Sequence, residues 1–393
     1  MMGAPIRLGF VPLLDAAPLI VAEALGFAEE EGLSMTLTAA PSWASLRDML
    51  VLGQVDAAQM LSPVPVAMAL GLGGSMARIE ALSVLNANGD VIGVSEVLAG
   101  RMRAQGYDFD FADAWAAAKA LRAASDAPLR IGVPFHFSMH SELMHYWLSA
   151  PEIGFPQPLD IRTVPPPRMA EALAAGEIDM FAVGEPWGSV AVERGVGTLI
   201  LPGAAVWAFS PEKVLATRAG WADDNPALAG GMMRAVWRAG RWLGDPQNHS
   251  TASEILAAPG RLDVAPDLIE RALTGRLVIS PSGEERRTRH LIEFFDGSAT
   301  FPWRSQAAWI GARLALRFGL DPVAAAQTAR SVFRSDLYRL HLRPAGADLP
   351  GASAKLEGAL AHPTAVSSER GRMILAADQF YDARIFDPDH PMR

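Results

Sequence analysis

The side chains best suited to chemistry lie where predicted strands end and predicted helices begin. They include Trp43 after Pro41-Ser42, His140 in the segment after Phe135 and the pair Gly184-Glu185 after Val183; Lys213, which begins the later predicted strand 213–217, can add positive charge there. Free backbone N–H groups and the helix dipole make a helix start attractive to anions, and histidine and lysine can add positive charge. These residue types favour the binding of a small anion.

Each of these residues also has a structural role open to it. His140 lies in the first predicted turn of a helix, where the dipole disfavours protonation, and a lone histidine is often structural. Lys213 follows Glu212 directly and could pair with it on the surface. Trp43 could be a core residue, and Glu185, which precedes a proline, could serve only as a hydrogen-bonding group. The residues alone leave both interpretations open.

No catalytic or metal-binding motif accompanies these residues. The chain contains no Gly-x-Ser-x-Gly elbow, no Walker lysine loop and no His-Glu-x-x-His. It has no cysteine, which removes disulfides, thiolate metal sites and cysteine nucleophiles. The spacing of His136 and His140 is weak evidence for a metal. We therefore expect a binding protein, not an enzyme, with no cofactor and no metal.

The elements that would position these residues form a repeated pattern. Both copies read strand, helix, strand, helix, strand. The first copy is predicted as strand 6–12, helix 16–30, strand 35–39, helix 43–52 and strand 56–60, and the second as strand 130–134, helix 138–149, strand 160–164, helix 167–175 and strand 179–183. Alternation of strands and helices is typical of parallel sheets with right-handed crossovers.

The join between the last helix and the last strand is similar in the two copies. It reads Gly53-Gln54-Val55-Asp56 in the first and Gly176-Glu177-Ile178-Asp179 in the second. Glycine can end a helix in the left-handed conformation. We expect an α/β protein with two lobes, residues 1–127 plus 209–393 forming the first with a mostly helical C-terminal region (226–386), and residues 128–208 forming the second. Ligands of open α/β sheets bind at the carboxyl ends of strands, here in the cleft between lobes.

Composition excludes several classes of function. The net charge is 34 − 43 = −9, which argues against direct nucleic-acid binding. The one basic run, 286–290, is predicted to lie on a solvated helix face. No apolar stretch is long enough for a membrane span, and the first residues lack a secretory leader, so we expect a cytoplasmic protein without membrane contact. A leader removed from the chain is the alternative.

Six short motifs resemble those of the nitrate- and bicarbonate-binding proteins of bacterial ABC uptake systems. They occur in family order and are Pro41-Ser42-Trp43-Ala44-Ser45-Leu46-Arg47-Asp48, Met60-Leu61-Ser62-Pro63-Val64-Pro65, Leu85-Asn86-Ala87-Asn88-Gly89, Val164-Pro165-Pro166-Pro167-Arg168-Met169, Val183-Gly184-Glu185-Pro186-Trp187 and Pro211-Glu212-Lys213. The resemblance implies the periplasmic-binding-protein (type II) fold, a clamp of two α/β lobes with a helical C-terminal extension.

The resemblance also implies the ligand-binding residues. Trp43 matches the tryptophan lining the anion site, His140 the histidine before a Tyr-Trp pair, Gly184 a backbone contact beside Glu185, and Lys213 the countercharge. Nitrate binders carry glutamine where this chain has Asp90, and an ionised carboxylate can only accept hydrogen bonds.

An unpaired negative charge at ~4 Å and an effective dielectric of ~20 would repel the anion by about 4 kcal/mol. We therefore expect Asp90 to turn away from the ligand, or to be neutralised by Lys213 or His140; otherwise the ligand is a different one.

Because the first strand begins the chain, the resemblance points to the cytoplasmic nitrate/nitrite sensor of NasS type. Such a sensor holds an RNA-binding antiterminator of the response-regulator class (NasT type) inactive until the anion binds. The alternative is the substrate-binding component of an ABC transporter for nitrate or a related anion. A sulfonate or urea binder also stays open, whereas a thiamin-pyrimidine synthase on the same fold would need a cysteine-rich motif.

Overall fold

The computed structural model describes residues 3–74 and 77–392. Its strands in chain order are β1 (Ala4–Phe10), β2 (Leu33–Ala39), β3 (Ala57–Leu61), β4 (Ile79–Asn88), β5 (Asp90–Ser95), β6 (Arg130–Val133), β7 (Asp160–Thr163), β8 (Met180–Gly184), β9 (Gly197–Pro202), β10 (Pro211–Arg218), β11 (Arg276–Val278), β12 (Glu285–Arg287), β13 (Ile292–Glu293), β14 (Thr364–Ser368) and β15 (Gly371–Leu375).

The helices alternate with these strands in the first half and dominate the region after β10. They are α1 (Ala17–Ala24), α2 (Phe27–Glu30), α3 (Trp43–Val51), α4 (Pro63–Ala69), α5 (Glu96–Ala104), α6 (Ala114–Ala124), α7 (Met139–Leu148), α8 (Met169–Ala174), α9 (Trp187–Glu193), α10 (Trp221–Asp224), α11 (Pro226–Leu243), α12 (His249–Ala257), α13 (Pro266–Thr274), α14 (Arg304–Phe318), α15 (Pro322–Ala329) and α16 (Ser335–Leu342).

Two sheets form the centres of two lobes. The first has the order β13-β4-β10-β3-β1-β2 and the second β7-β6-β8-β5-β9. Within the first, β1 runs parallel to β2 and β3; within the second, β6 runs parallel to β7 and β8. The two repeats predicted from the sequence therefore fold into the same local arrangement, each opening strand lying between the other two of its copy.

The glycines at the repeated join adopt the predicted conformation. Gly53 has φ 73° and Gly176 has φ 66°, both in the left-handed region. In both copies the next apolar residue, Val55 or Ile178, is buried before the strand begins. This join sets where the last strand of each repeat enters its sheet.

The chain passes between the sheets earlier than expected. β4 belongs to the first sheet and β5 to the second, so the first crossing lies at Gly89 (φ 112°) and not near residue 127. Residues 90–124 thus join the second lobe, because β5 pairs with both β8 and β9 in its interior. The return crossing lies between β9 and β10, close to the expected position.

Two expectations for the C-terminal half need correction. The basic run enters strand β12, which pairs with β11, and not a helix. The helical region ends at Leu342, after which the chain is irregular apart from the hairpin β14–β15. Alternating side chains in these short strands face solvent on one side, so their pattern is weak in the sequence.

The two lobes are closed against each other. The Leu14 N–H donates to the carbonyl oxygen of Glu185 at 3.0 Å, and the Trp187 indole N–H donates to the carbonyl of Pro12 at 2.9 Å. Arg317 of α14 forms an ion pair with Glu142 of α7. Across 3–74 and 77–392, no helix has the length and apolar character needed to cross a membrane.

Candidate anion site

Lys213 lies at the centre of a buried charge cluster. Its ammonium group is fully buried, pairs with Asp15 and lies 2.7 Å from Oε1 of Glu212. Adjacent strand residues normally face opposite sides, but the pairing of β10 with β4 shifts register on both sides of Lys213. This irregularity accompanies the approach of Lys213 to its neighbour Glu212. The pairing of the two, considered as a surface contact in the sequence, is instead a buried one.

His140 reaches the same cluster from the second lobe. It lies in the first turn of α7, whose start is capped by Ser138 accepting from the N–H of Ser141 at 3.1 Å. Its Nδ1 is 3.0 Å from Oε1 of Glu212. Burial, together with the charge of Lys213, holds the pKa of His140 well below its usual value. A neutral imidazole can donate from only one ring nitrogen.

Trp43 forms the wall of the cluster on the first lobe. It begins α3, where Ser42 caps the helix by accepting from the N–H of Ser45 at 3.2 Å. The ammonium nitrogen of Lys213 lies 5.4 Å from the centre of the Trp43 rings, within range of a cation–π contact. The indole Nε1 of Trp43 is buried and has no hydrogen-bond acceptor within the described part of the chain.

Asp90 and Gly184 lie opposite each other on β5 and β8. A side chain on Gly184 would come within 2.8 Å of Leu13 and 3.5 Å of the Asp15 carboxylate, so only glycine admits this approach of the two lobes. The Asp90 carboxyl group lies over Gly203, where an added Cβ would be 2.1 Å from its Oδ1. Neither Asp90 oxygen has a hydrogen-bond partner among the residues that the structure describes. Asp90 therefore occupies space at the return crossing and makes no ion pair with Lys213 or His140.

Burial shifts the acids of the site toward their neutral forms. It raises the pKa of Asp90 to about 6, that of Glu185 to about 7 and that of Glu212 to about 8. Lys213 opposes the shift at Asp90 and Glu212. Burial alone would lower the pKa of Lys213, but its carboxylate partners outweigh this and raise it. The lysine is therefore charged while some neighbouring acids hold protons.

A model of the NMT1-like family matches residues 3–257, close to two thirds of the chain. The chain belongs to the NMT1-like family. It is 30% identical over 393 residues to the nitrate/nitrite binding protein NrtA of Nostoc, a match covering 98% of this chain and 83% of that protein. It is 25% identical over 402 residues to the bicarbonate-binding protein CmpA of Synechococcus elongatus, covering 98% and 84%.

A solved structure confirms the fold of this NMT1-like chain. The crystal structure of the periplasmic nitrate-binding protein NrtA from Synechocystis aligns with a TM-score of 0.83 and 25% identity, over 99% of this chain and 97% of that one. The predicted two-lobed periplasmic-binding-protein fold is therefore correct. These three relatives are named as proteins that bind nitrate, nitrite or bicarbonate.

All six residues predicted for the site lie in or beside this buried cluster, which is walled by both lobes. Their role toward a ligand stays a prediction. Among the described residues, two N–H donors there lack an acceptor, the indole of Trp43 and the side-chain amide of Gln59, and Nε2 of His140 has no hydrogen-bond partner. The Gln59 amide is oriented by its own oxygen, which accepts from the Val11 N–H at 2.9 Å. Within residues 3–74 and 77–392, no group of three or more potential metal ligands is arranged to hold a metal.

The sequence analysis missed Asp15, Gln59 and Glu212 as members of the site in this NMT1-like chain. Asp15 lies between the predicted strand 6–12 and the helix that follows, and Gln59 lies in the predicted strand 56–60; their apolar neighbours on either side are the signal that could have revealed their burial. Glu212 was recognised only as a partner for Lys213. A charged residue in an apolar strand such as β10 is the one signal that could have revealed it.

Proposed function

We propose that this chain is a substrate-binding protein of ABC-transporter type that closes around nitrate or nitrite. The observation that carries the proposal is the cluster of Trp43, His140 and Lys213, buried between two lobes with donor groups left without acceptors. A planar, singly charged oxyanion suits an indole face, a buried ammonium group and a few N–H donors. Similarity to NrtA over nearly the whole chain supports the same ligand.

Because the site contains several buried acids, anion binding depends on the protonation of those acids. Lys213 is already paired with Asp15 and Glu212, and Asp90 and Glu185 add two more buried acids. An anion entering beside fully ionised acids would be repelled, since Coulomb interactions are strong where water is excluded. We infer that protons on Asp90, Glu185 and Glu212 accompany the bound anion.

Calorimetry with nitrate, nitrite, bicarbonate, urea and a short alkanesulfonate tests the ligand. Nitrate or nitrite is expected to bind tightest, and Lys213→Met is expected to abolish that binding. Lys355→Met is a matched control, because Lys355 also pairs with two buried acids, Glu357 and Asp378, but at a different place. Binding that survives Lys213→Met, or that disappears equally in both variants, would contradict the site.

Bicarbonate is the second candidate ligand, favoured by one observation. Asp90 has two unpartnered oxygens that can accept a hydrogen bond, and bicarbonate carries an O–H donor that nitrate lacks. This second ligand would be favoured if bicarbonate bound more tightly than nitrate and if that preference disappeared in Asp90→Asn. Similarity to CmpA makes the comparison necessary.

The cytoplasmic sensor of NasS type stays a finer prediction about the same clamp. The relatives named above are binding proteins for nitrate, nitrite or bicarbonate, which favours the uptake role. The two roles differ in the partner. A sensor would form a complex with an antiterminator of NasT type that nitrate dissolves, which gel filtration of the two proteins with and without nitrate would detect. Stimulation of a nitrate permease in membrane vesicles would instead support uptake.

A further inference from the structure

A cavity separate from the anion site lies where the second lobe meets α14 and the C-terminal segment. Its volume is about 210 Å³, below the ~300–1,000 Å³ of pockets for drug-sized ligands. Trp115 and Tyr146 of the second lobe line it together with Arg313 of α14 and Tyr381 near the C-terminus. The rings of Trp115 and Tyr381 lie 5.1 Å apart, centre to centre. The cavity is therefore small, partly aromatic and built from four segments of the chain.

Arg313 is the unusual member of this lining. Its guanidinium carbon lies 5.0 Å from the centre of the Tyr146 ring, and its Nε is buried without an acceptor. Among the described residues it makes no hydrogen bond and no ion pair; Glu142 of the same region pairs with Arg317 instead. The guanidinium is half-buried and interacts with the Glu142 carboxylate without a hydrogen bond, and its planar fork suits a further carboxylate.

The other charged residues that line the cavity limit which ligands it can bind. Asp382 accepts from the Tyr146 hydroxyl at 2.8 Å and pairs with Arg384, so these two charges are already compensated. Glu152 lines the cavity, is exposed and has no partner within the described residues. Two charged side chains of the lining therefore have no ion-pair partner among the described residues, the cation Arg313 and the anion Glu152.

We propose that this cavity binds a small free amino acid, whose carboxylate pairs with Arg313 and whose ammonium group faces Glu152 and the aromatic rings. A zwitterion satisfies both open charges at once, and an ammonium group near the faces of Trp115 or Tyr381 gains a cation–π contact. A dicarboxylate would place a second negative charge against Glu152 and Asp382.

The cavity lies between elements of both lobes, so a ligand bound there affects lobe closure. α14 packs on α4 of the first lobe, whereas α6 and α7 belong to the second. A ligand that touches both lobes binds best when they are closed and therefore favours the closed state. This coupling, which rests on the proposed anion function, raises the affinity for nitrate, and nitrate raises that for the amino acid by the same factor.

Calorimetry with L-alanine, propionate and ethylamine tests the ligand class, because the last two each lack one of its charged groups. Alanine is expected to bind at least tenfold tighter than either. Arg313→Gln and Glu152→Gln are each expected to weaken alanine binding at least tenfold. Arg241→Gln, at an exposed arginine of α11 that forms no ion pair with any described residue, is the control and should leave alanine binding unchanged.

Absence of alanine binding, equal binding of propionate, or unchanged affinity in Arg313→Gln would overturn the assignment. Saturating alanine is expected to raise nitrate affinity at least threefold; an unchanged nitrate affinity would overturn the coupling. Alanine binding needs no nitrate and should persist in Lys213→Met. A chain that binds alanine but no nitrate would therefore contradict the proposed anion function and leave the amino-acid site standing.

Discussion

At the scale of single residues, the acids around Lys213 determine how the site responds to pH. Asp90, Glu185 and Glu212 titrate between about pH 6 and about pH 8, while His140 is neutral and Lys213 charged in this range. A bound anion favours the neutral acids and so raises their pKa values further. Protons are therefore taken up on binding, and affinity rises as the pH falls.

We expect the dissociation constant for nitrate to decrease from pH 8 to pH 6, by about tenfold per pH unit for each proton taken up. Calorimetry in two buffers of different ionisation enthalpy at each pH measures the proton count directly. Affinity that is independent of pH, with no proton uptake, would show that the acids stay ionised beside the anion.

Asp90→Asn removes one of these acids with little change in volume. We expect nitrate to bind about tenfold tighter at pH 8, equivalent to about 1.4 kcal/mol, because an amide neither repels the anion nor needs a proton. The pH dependence should become shallower at the same time. Asp56→Asn, at a half-buried acid paired with Arg7 away from the site, is the control and should change neither quantity.

The roles of single residues were only partly predictable from sequence. Trp43, His140 and Lys213 were identified because a family motif surrounds each of them. The protonation of the acids could not be predicted, because it depends on burial by residues distant in the chain. The carboxyl group of Asp90, for example, is shielded from water by β8, the Gly203 turn and the opposite lobe.

At the scale of elements, Asn88 joins the two crossings between the lobes. Its Oδ1 accepts from the N–H and the hydroxyl of Ser210, and its Nδ2 donates to the carbonyls of Ala208 and His290. It also adopts φ 59°, a conformation that asparagine tolerates better than most residues. The crossings are therefore held in register by one side chain.

We expect Asn88→Ala to lower the free energy of unfolding by about 2–4 kcal/mol, from several lost hydrogen bonds at about 0.5–1.5 kcal/mol each and a strained backbone. Asn88→Gly should recover only the part of this loss that comes from backbone strain. Urea denaturation measures the free energy of unfolding of both variants. Asn225→Ala, which removes a single side-chain hydrogen bond to Trp221, should cost less than either; a larger loss there would contradict the role of Asn88.

The elements themselves were largely predictable, but their assignment to sheets was not. The repeated strands and helices appear close to the expected bounds because each carries its own hydrophobic pattern and end signals. β4 and β5, by contrast, are separated only by Gly89, and their sequences look like one hairpin. Only the pairing of β5 with β8 and β9 reveals that the chain changes lobe there.

At the scale of the whole molecule, ligand affinity depends on contacts that exist only when the lobes are closed. The hydrogen bond from the Trp187 indole to the Pro12 carbonyl is such a contact, since its two groups belong to different lobes. Trp147 provides a comparison, because its indole donates at the same 2.9 Å to Ala114 within the second lobe. Phenylalanine at either position removes one hydrogen bond and some aromatic surface.

We expect Trp187→Phe to weaken nitrate binding by about 2- to 12-fold, the equivalent of one net hydrogen bond of about 0.5–1.5 kcal/mol. The loss should appear mainly as faster dissociation in stopped-flow fluorescence, because the closed state is the one that is destabilised. Trp147→Phe should lower the melting temperature and leave nitrate affinity unchanged, since its partner stays on the same lobe in both states. Equal loss of affinity in the two variants would mean that general destabilisation, and not lobe closure, sets the strength of binding.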